Sequence, residues 1–520
     1  AAARGAGRRR VGSARSLAGR MRVPPRRACG IIVRMEFIVT KSRVADAVRA
    51  AIPRLACALP PDVEAMLVAA RDREDHPRGR VVLDQLVENA RIAARERVPV
   101  CQDTGTVWAC LEVGPDVLVR GDVFSEVDGA VASVRAEARL RASVVRDAAF
   151  DRANTADNTP AFCEVRFVDE PGAARLHVML KGGGSDNASR VVMLAPGAGM
   201  QGVVDEVVRC VREKGANACP PLVIGVGVGG TFDKVAGLAK RALMRPVGER
   251  ATDPRAAELE EELLAAVNAT GVGPGGLGGR TTALSVRVAT APCHIAALPL
   301  AVNMGCSAMR RATIDLREAA AEGDGLGRAA PSAPERVGRI GGEERIRLSL
   351  PLDRERMAEL KAGDACLLTG VLYTLRDAGH VRLVDELARG GGQLPYGLDG
   401  QTIFYAGPTP AAAGRPFGAI GPTTASRMDF AAPALYRAGV AATVGKGRRG
   451  REVREACRET GSVYFVACGG AAAYLARCVA SSETVAYDDL GTEALRRIEV
   501  VDFPVFVGVD ARGADVHELA

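Results

Sequence analysis

The chain has 520 residues, enough for two or more domains with complete cores, and aromatics make up only 4% of it. Its formal charge of +7 misleads, because residues 1–34 hold ten arginines and no acid and leave 59 basic against 62 acidic residues elsewhere. A nucleic-acid surface is therefore not indicated for the folded part, and with no run of 18 uncharged apolar residues no membrane-spanning helix is expected.

The acid-free, Arg-rich leader has the composition of a mitochondrial transit peptide. Residue 1 is not Met, however, and MEFIVTKSRVADAV from Met35 reads as a start, so residues 1–34 are expected to be a disordered or non-native leader. Thirteen cysteines without a secretory signal predict free thiols in a reducing compartment, with a cytoplasmic location. None forms C-x-x-C, so a metal site must gather its cysteines from distant segments.

From Lys41 to Arg97 the pattern is helical, with Pro60-Pro61-Asp62 as a start signal. Val82, Leu83, Leu86, Ile92 and Ala93 form an apolar stripe on the last helix. The stretch VWACLEV then reads as a strand, and between helix and strand lies Cys101-Gln102-Asp103-Thr104-Gly105. That pentapeptide fits a turn closed by Asp103 and Thr104 as well as it fits a reactive loop. Val123 to Asp147 is an amphipathic stretch carrying Arg135, Arg139 and Arg141. The strands FCEVRFV and RLHVMLK follow, the second entering Gly182-Gly183-Gly184-Ser185-Asp186-Asn187, where consecutive N–H groups could gather on an anion.

After Cys219-Pro220-Pro221 comes the strand LVIGVGVGG and a helix from Lys234. Gly225, Gly227 and Gly230 match G-x-G-x-x-G, but no strand ending in an acid stands about twenty residues on, so a dinucleotide site is rejected. Met244 to Glu262 reads as charged and helical. A second glycine loop at Val272 to Arg280 leads through TTALSVRVA to Pro292-Cys293-His294-Ile295-Ala296 and Met304-Gly305-Cys306-Ser307-Ala308. Residues 318–345 are hydrophilic and rich in Gly and Pro, a predicted linker between a domain at 35–317 and a smaller one at 346–520. In the latter, polar clusters fall at the turns: Thr374-Leu375-Arg376-Asp377, His380, the segment Gly421 to Asp429, and Val444-Gly445-Lys446-Gly447.

In order, CQDTG, KGGGSDN, CPP before VGVGG, HIAALPLAVNMGCSAMRR, RDAGH, YAGPTP, GPTTASRMD and VGKG make a series that resembles the class I, iron–sulfur-dependent fumarate hydratase and L-tartrate dehydratase family. The likeness runs from about Met35 to the C-terminus, with α and β parts that are often separate subunits joined in one chain. It implies a mixed α/β (α+β) protein: a larger N-terminal cluster-binding domain and a smaller C-terminal domain with a β core and flanking helices. A [4Fe-4S] cluster would be held by Cys101, Cys219 and Cys306, leaving one iron open as a Lewis acid. The resemblance further implies Asp103 as acid and Thr423 as the base at C3. A small dicarboxylate would be bound by Gln102, Arg141, the Gly184 backbone, His294, Arg376, Thr424, Arg427 and Lys446. A homodimer is implied as well. Ser426 and Asp186 depart from the residues common in relatives, and specificity could shift there. Fumarate hydration is the expected activity; dehydration of tartrate or a related 2-hydroxy diacid shares every motif, and a non-enzymatic iron–sulfur sensor or redox carrier is the remote alternative.

Overall fold

The computed structural model describes residues 37–318 and 345–519. The leader 1–34 and the body of the expected linker 318–345 lie outside the described residues.

Three helices open the chain, Lys41–Cys57, Pro61–Arg73 and Pro77–Glu96. The Thr40 hydroxyl accepts from Arg43 N at 3.3 Å to cap the first, and Pro61 starts the second, where its missing N–H has no intrahelical partner to lose. Two four-stranded sheets follow. In one, Thr106–Val113 lies between the parallel strand Phe162–Phe167 and the antiparallel strand Ala174–Lys181, which also pairs with Arg311–Asp315. In the other, Leu222–Gly230 lies between the parallel Ala283–Cys293 and the antiparallel Leu298–Gly305, with Arg190–Leu194 at the edge.

The G-x-G of Leu222–Gly230 serves packing. A Cβ on Gly225 would stand 2.1 Å from Ala239 O, and one on Gly227 2.5 Å from Val235 O, both in the helix Phe232–Ala242. Absent side chains let helix and strand touch backbone to backbone.

The C-terminal half is organised by one long strand, Leu495–Val509. Ala365–Thr374, Thr402–Phe404, Ala442–Gly445 and Val463–Val466 run parallel in that order. The long strand pairs antiparallel with the first and the last of them, through Leu368↔Phe503 and Tyr464↔Val509, so the ladder closes on itself. Ile346–Ser349 and Val479–Ala486 extend it outside the ring. With two unequal halves of mixed helix and sheet, the fold is the expected mixed α/β one.

The bounds of two stretches read from the sequence are corrected. Within Val123 to Asp147 only Val127–Glu137 is helical, because Arg139 takes a left-handed φ of +52°. Within Met244 to Glu262 the helix begins at Pro254, capped by Asp253, since Pro246 and the positive φ of Gly248 break the chain before it.

The largest apolar core runs without a break from Leu86, Ala90 and Trp108 to Met428, Phe465 and Phe506. Polar stitches reinforce that seam: Asn89 Nδ2 donates to Val100 O and Gly470 O, each at 2.9 Å, and Asn89 Oδ1 accepts from Tyr474 N at 3.0 Å. Buried Glu96 meets both Arg415 and Arg477. Among the described residues no helix is long and apolar enough to cross a membrane.

Candidate active site

The two halves meet where the polar motifs gather. Cys101 and Cys219 are buried and Cys306 is partly so. Cys101 follows the helix Pro77–Glu96, Cys219 follows a short 3₁₀ turn in a left-handed conformation (φ +59°), and Cys306 follows the strand Leu298–Gly305. Ser307 N donates to Cys219 O at 3.0 Å and ties two of these loops together. The three thiols share one neighbourhood, with Cys219 and Cys306 both acting on Cys101 and Cys306 acting on Cys219. Burial pushes the Cys101 thiol up to about 11, against the pull of Arg310, and Cys219 also rises through burial, against Lys446.

Lys446 arrives from the C-terminal half, and its Nζ donates to Cys219 Sγ at 2.5 Å. Burial works to discharge it, but the neighbouring Cys219, Cys101 and Cys306 outweigh that and raise its pKa. The room for this contact comes from Gly469, where a Cβ would stand 2.5 Å from Cys219 Sγ and 2.9 Å from Lys446 Cδ. Gln102 reaches the other way: its Nε2 donates to Pro422 O at 3.2 Å, and a Cβ on Gly421 would meet its Oε1 at 2.4 Å. Gly184 faces the same space, its Cβ position 3.2 Å from Lys446 Nζ and 3.8 Å from Thr424 Oγ1. Thr423 is buried, with its N–H on Tyr405 O at 2.7 Å and its carbonyl accepting from Lys446 N at 3.1 Å.

Asp103 accepts from Gly183 N at 2.8 Å and pairs with Arg141 at 3.1 Å. Burial works to raise its pKa, but Arg141 and Arg310 hold the carboxyl down at about 2. It is therefore a carboxylate here, and service as an acid requires it first to take up a proton. Arg141 also donates from Nη1 to Gly407 O at 3.1 Å, across the seam. Arg376 Nε contacts Asp377 at 2.9 Å and Glu493 at 3.1 Å. Asp377 accepts from Arg427 Nε at 2.9 Å as well, so one carboxylate orients two of the expected arginines.

Among the described residues His294 makes no side-chain hydrogen bond or ion pair with this group. It sits exposed in the turn between Ala283–Cys293 and Leu298–Gly305, where its Nδ1 accepts from Ala296 N at 3.1 Å and Ile295 beside it is 91% exposed. Cys293 is exposed there too. The residues that sequence reasoning missed are Gly407, Gly421 and Gly469, which make room, and Arg310, which brings charge; the CSAMRR run displayed Arg310 without saying which way it faces.

Among the described residues no three His, Cys, Asp or Glu side chains converge closely enough to hold a single metal ion. Three thiols that share a neighbourhood, one of them in contact with Lys446, suit a multi-iron group better than a single ion.

Two buried halves, a seam of thiols and a ring of cations around a carboxylate define a hydro-lyase enzyme once the comparisons are added. The chain matches the family model for fumarate hydratase (Fumerase) over residues 45–315 and that for the fumarase C-terminus over 327–520. It is 33% identical over 474 residues to "Fumarate hydratase class I, anaerobic" of Escherichia coli, covering 86% of this chain and 84% of that one. To "Fumarate hydratase class I, aerobic" of Salmonella typhimurium it is 32% identical over 477 residues, 86% of this chain and 80% of that one. A shorter relative, "Putative L(+)-tartrate dehydratase subunit alpha" of Methanocaldococcus jannaschii, is 36% identical over 276 residues, 52% of this chain and 96% of its own. The chain belongs to the class I fumarate hydratase family.

Proposed function

We propose that the chain is a fumarate hydratase that adds water reversibly to fumarate to give (S)-malate, with a [4Fe-4S] cluster held by Cys101, Cys219 and Cys306. The observation that carries this reading is the meeting of those three thiols with Lys446, Gly184 and Thr424 at the seam. When bound, a cluster with three thiolate ligands supplies an iron with an open coordination position, a Lewis acid for the hydroxyl group.

The chain's own residues do the rest. Arg376 and Arg427, pre-aimed by Asp377, grip one substrate carboxylate, and Arg141 and Lys446 meet the other with Gln102 and the Gly184 N–H. In the hydration direction the Asp103 carboxylate accepts a proton from the adding water while Thr423 Oγ1 delivers one to C3. In the reverse direction the protonated Asp103 serves the departing hydroxyl and Thr423 takes the C3 proton. Binding between two interlocked halves keeps bulk water out of the reacting volume. All twelve described cysteines are free thiols, which suits a reducing, cytoplasmic setting, and the acting unit is read as a homodimer.

The tartrate dehydratase subunit among the relatives supports a second reading, in which the same site dehydrates L-tartrate. Anaerobic reconstitution with iron and sulfide, followed by steady-state rates on fumarate, malate and both tartrates, separates the two. Fumarate and malate should be turned over far faster than either tartrate; turnover of L-tartrate without fumarate hydration overturns the assignment.

A further inference from the structure

The Arg449 side chain is wholly buried in the C-terminal half. Its Nε donates to Asp429 Oδ1 at 2.7 Å and its Nη1 to Thr443 Oγ1 at 3.3 Å. The guanidinium also stands over two aromatic rings, 5.4 Å from the centre of Tyr405 and 4.8 Å from that of Tyr464. Both tyrosines are fully buried. A flat cation with π faces and a carboxylate around it has few other orientations open to it.

Each of these partners holds a piece of the site. Tyr405 O accepts from Thr423 N at 2.7 Å, and Tyr405 N donates to Val444 O at 2.8 Å. Tyr464 donates from its hydroxyl to Gly447 O at 3.0 Å, next to Lys446. Asp429 closes the segment that carries Thr423, Thr424 and Arg427, and Thr443 lies on the strand Ala442–Gly445 that leads to Lys446. The segment and the turn are bonded to each other as well: Lys446 N donates to Thr423 O at 3.1 Å and Ala425 N to Lys446 O at 2.9 Å. Arg449 therefore ties both ends of the threonine segment to the lysine turn. A buried ion pair rarely adds stability over apolar packing, but a satisfied polar network does select one arrangement of the chain.

We propose that Arg449 is a positioning residue for the proton transfer at C3. By joining Tyr405, Tyr464 and Asp429 it fixes the loop on which Thr423 stands against the turn that carries Lys446. This rests on the fumarate hydratase reading above, with Thr423 as the group that serves C3.

The test uses the full chain, reconstituted anaerobically, with Arg449→Met, Arg449→Lys and Thr423→Val beside the wild type. Values of kcat and KM for fumarate, and the rate of deuterium exchange into C3 of malate, are read per iron-loaded chain, well below each thermal midpoint. Arg449→Met should lose about tenfold to a hundredfold in kcat and in exchange, the scale of a misplacement of about 1 Å. Arg449→Lys should fall in between, since it keeps a charge for Asp429 but loses the flat face toward the rings. KM should move less, because Arg427 keeps its own anchor on Asp377. An arginine needed only for folding would lower the thermal midpoint and leave kcat and exchange at the wild-type level. That result overturns the inference, and so does a rise in KM alone. If Arg449→Met does not fold, Arg449→Lys decides: slower exchange supports the inference and unchanged exchange overturns it. Wild-type exchange in Thr423→Val, or a wild type that does not hydrate fumarate, overturns the underlying reading and the inference with it.

Discussion

Lys446 and Cys219 stand 227 positions apart in the chain and meet at 2.5 Å, ammonium to thiol, across the seam between the two halves. Burial of both makes this a charge-assisted contact in a poorly screened place. It couples the thiol loops to the segment that carries Thr423 and Thr424, so the site exists only when the halves are docked.

Gly469 sets the clearance for that pair. Gly469→Ala puts a Cβ where Cys219 Sγ now lies at 2.5 Å and cannot be absorbed by a flexible chain end. Iron uptake should fall sharply while the apo protein stays folded; unchanged iron content would show that the thiol can relocate freely.

Substituting Ser for Cys101, Cys219 or Cys306 should abolish the brown colour and the turnover of anaerobic preparations. Cys468 is the informative contrast, since it is buried and electrostatically coupled to Cys219. Cys468→Ser should retain about four irons per chain, as the cluster formula requires. Loss of iron there would make it a fourth ligand and favour an electron carrier over a hydro-lyase.

Asp377→Asn weakens the shared anchor of Arg376 and Arg427 without removing either guanidinium. It should raise KM for fumarate more than it lowers kcat. Arg427→Lys loses the planar fork and should cost about tenfold or more in kcat/KM, about 1.4 kcal/mol. Under threefold would place Arg427, whose side chain is 41% exposed, outside the substrate site.

Thr423→Val and Asp103→Asn should each lower kcat by ~10²–10⁴ with little change in affinity, the usual worth of a general acid or base. Deuterium exchange into C3 of malate divides the roles. Thr423→Val should lose exchange, and Asp103→Asn should keep it while losing dehydration, at constant iron content. Wild-type exchange in Thr423→Val would transfer the C3 step to another residue.

His380 supplies a pH dependence. It is fully buried, its ring edge lies against Tyr405 at 5.0 Å, and its nitrogens make no hydrogen bond of good geometry among the described residues. Burial, opposed by the Arg376 carbonyl, lowers its pKa to about 4. The unfolded chain takes up that proton near pH 6.5 and the folded chain does not. Stability should therefore fall as pH drops from about 6.5 towards about 4, then level off. Between pH 7 and 5 this residue should cost about 2 kcal/mol, read from urea midpoints, and His380→Phe should abolish that component.

The sequence by itself determined the local elements and the chemical inventory. Periodicity over Val81 to Arg97 found most of the helix Pro77–Glu96, because side-chain spacing is a property of neighbouring residues. The motif order singled out Cys101, Cys219 and Cys306 among thirteen cysteines as the expected ligands, and the lack of an acid-ended strand about twenty residues on kept the glycine strand from being read as a nucleotide site. Tertiary structure alone decided what those residues face. The ring closes because Leu495–Val509 pairs with strands from two distant parts of the chain, which no local pattern encodes. His294 and Arg310 show the same limit from opposite sides. Both stand beside cysteine motifs in sequence; one is exposed in the turn between two strands, and the other is buried where it acts on the Asp103 carboxylate. Burial and pairing of a charge depend on every segment packed against it, and those contacts come from residues hundreds of positions away.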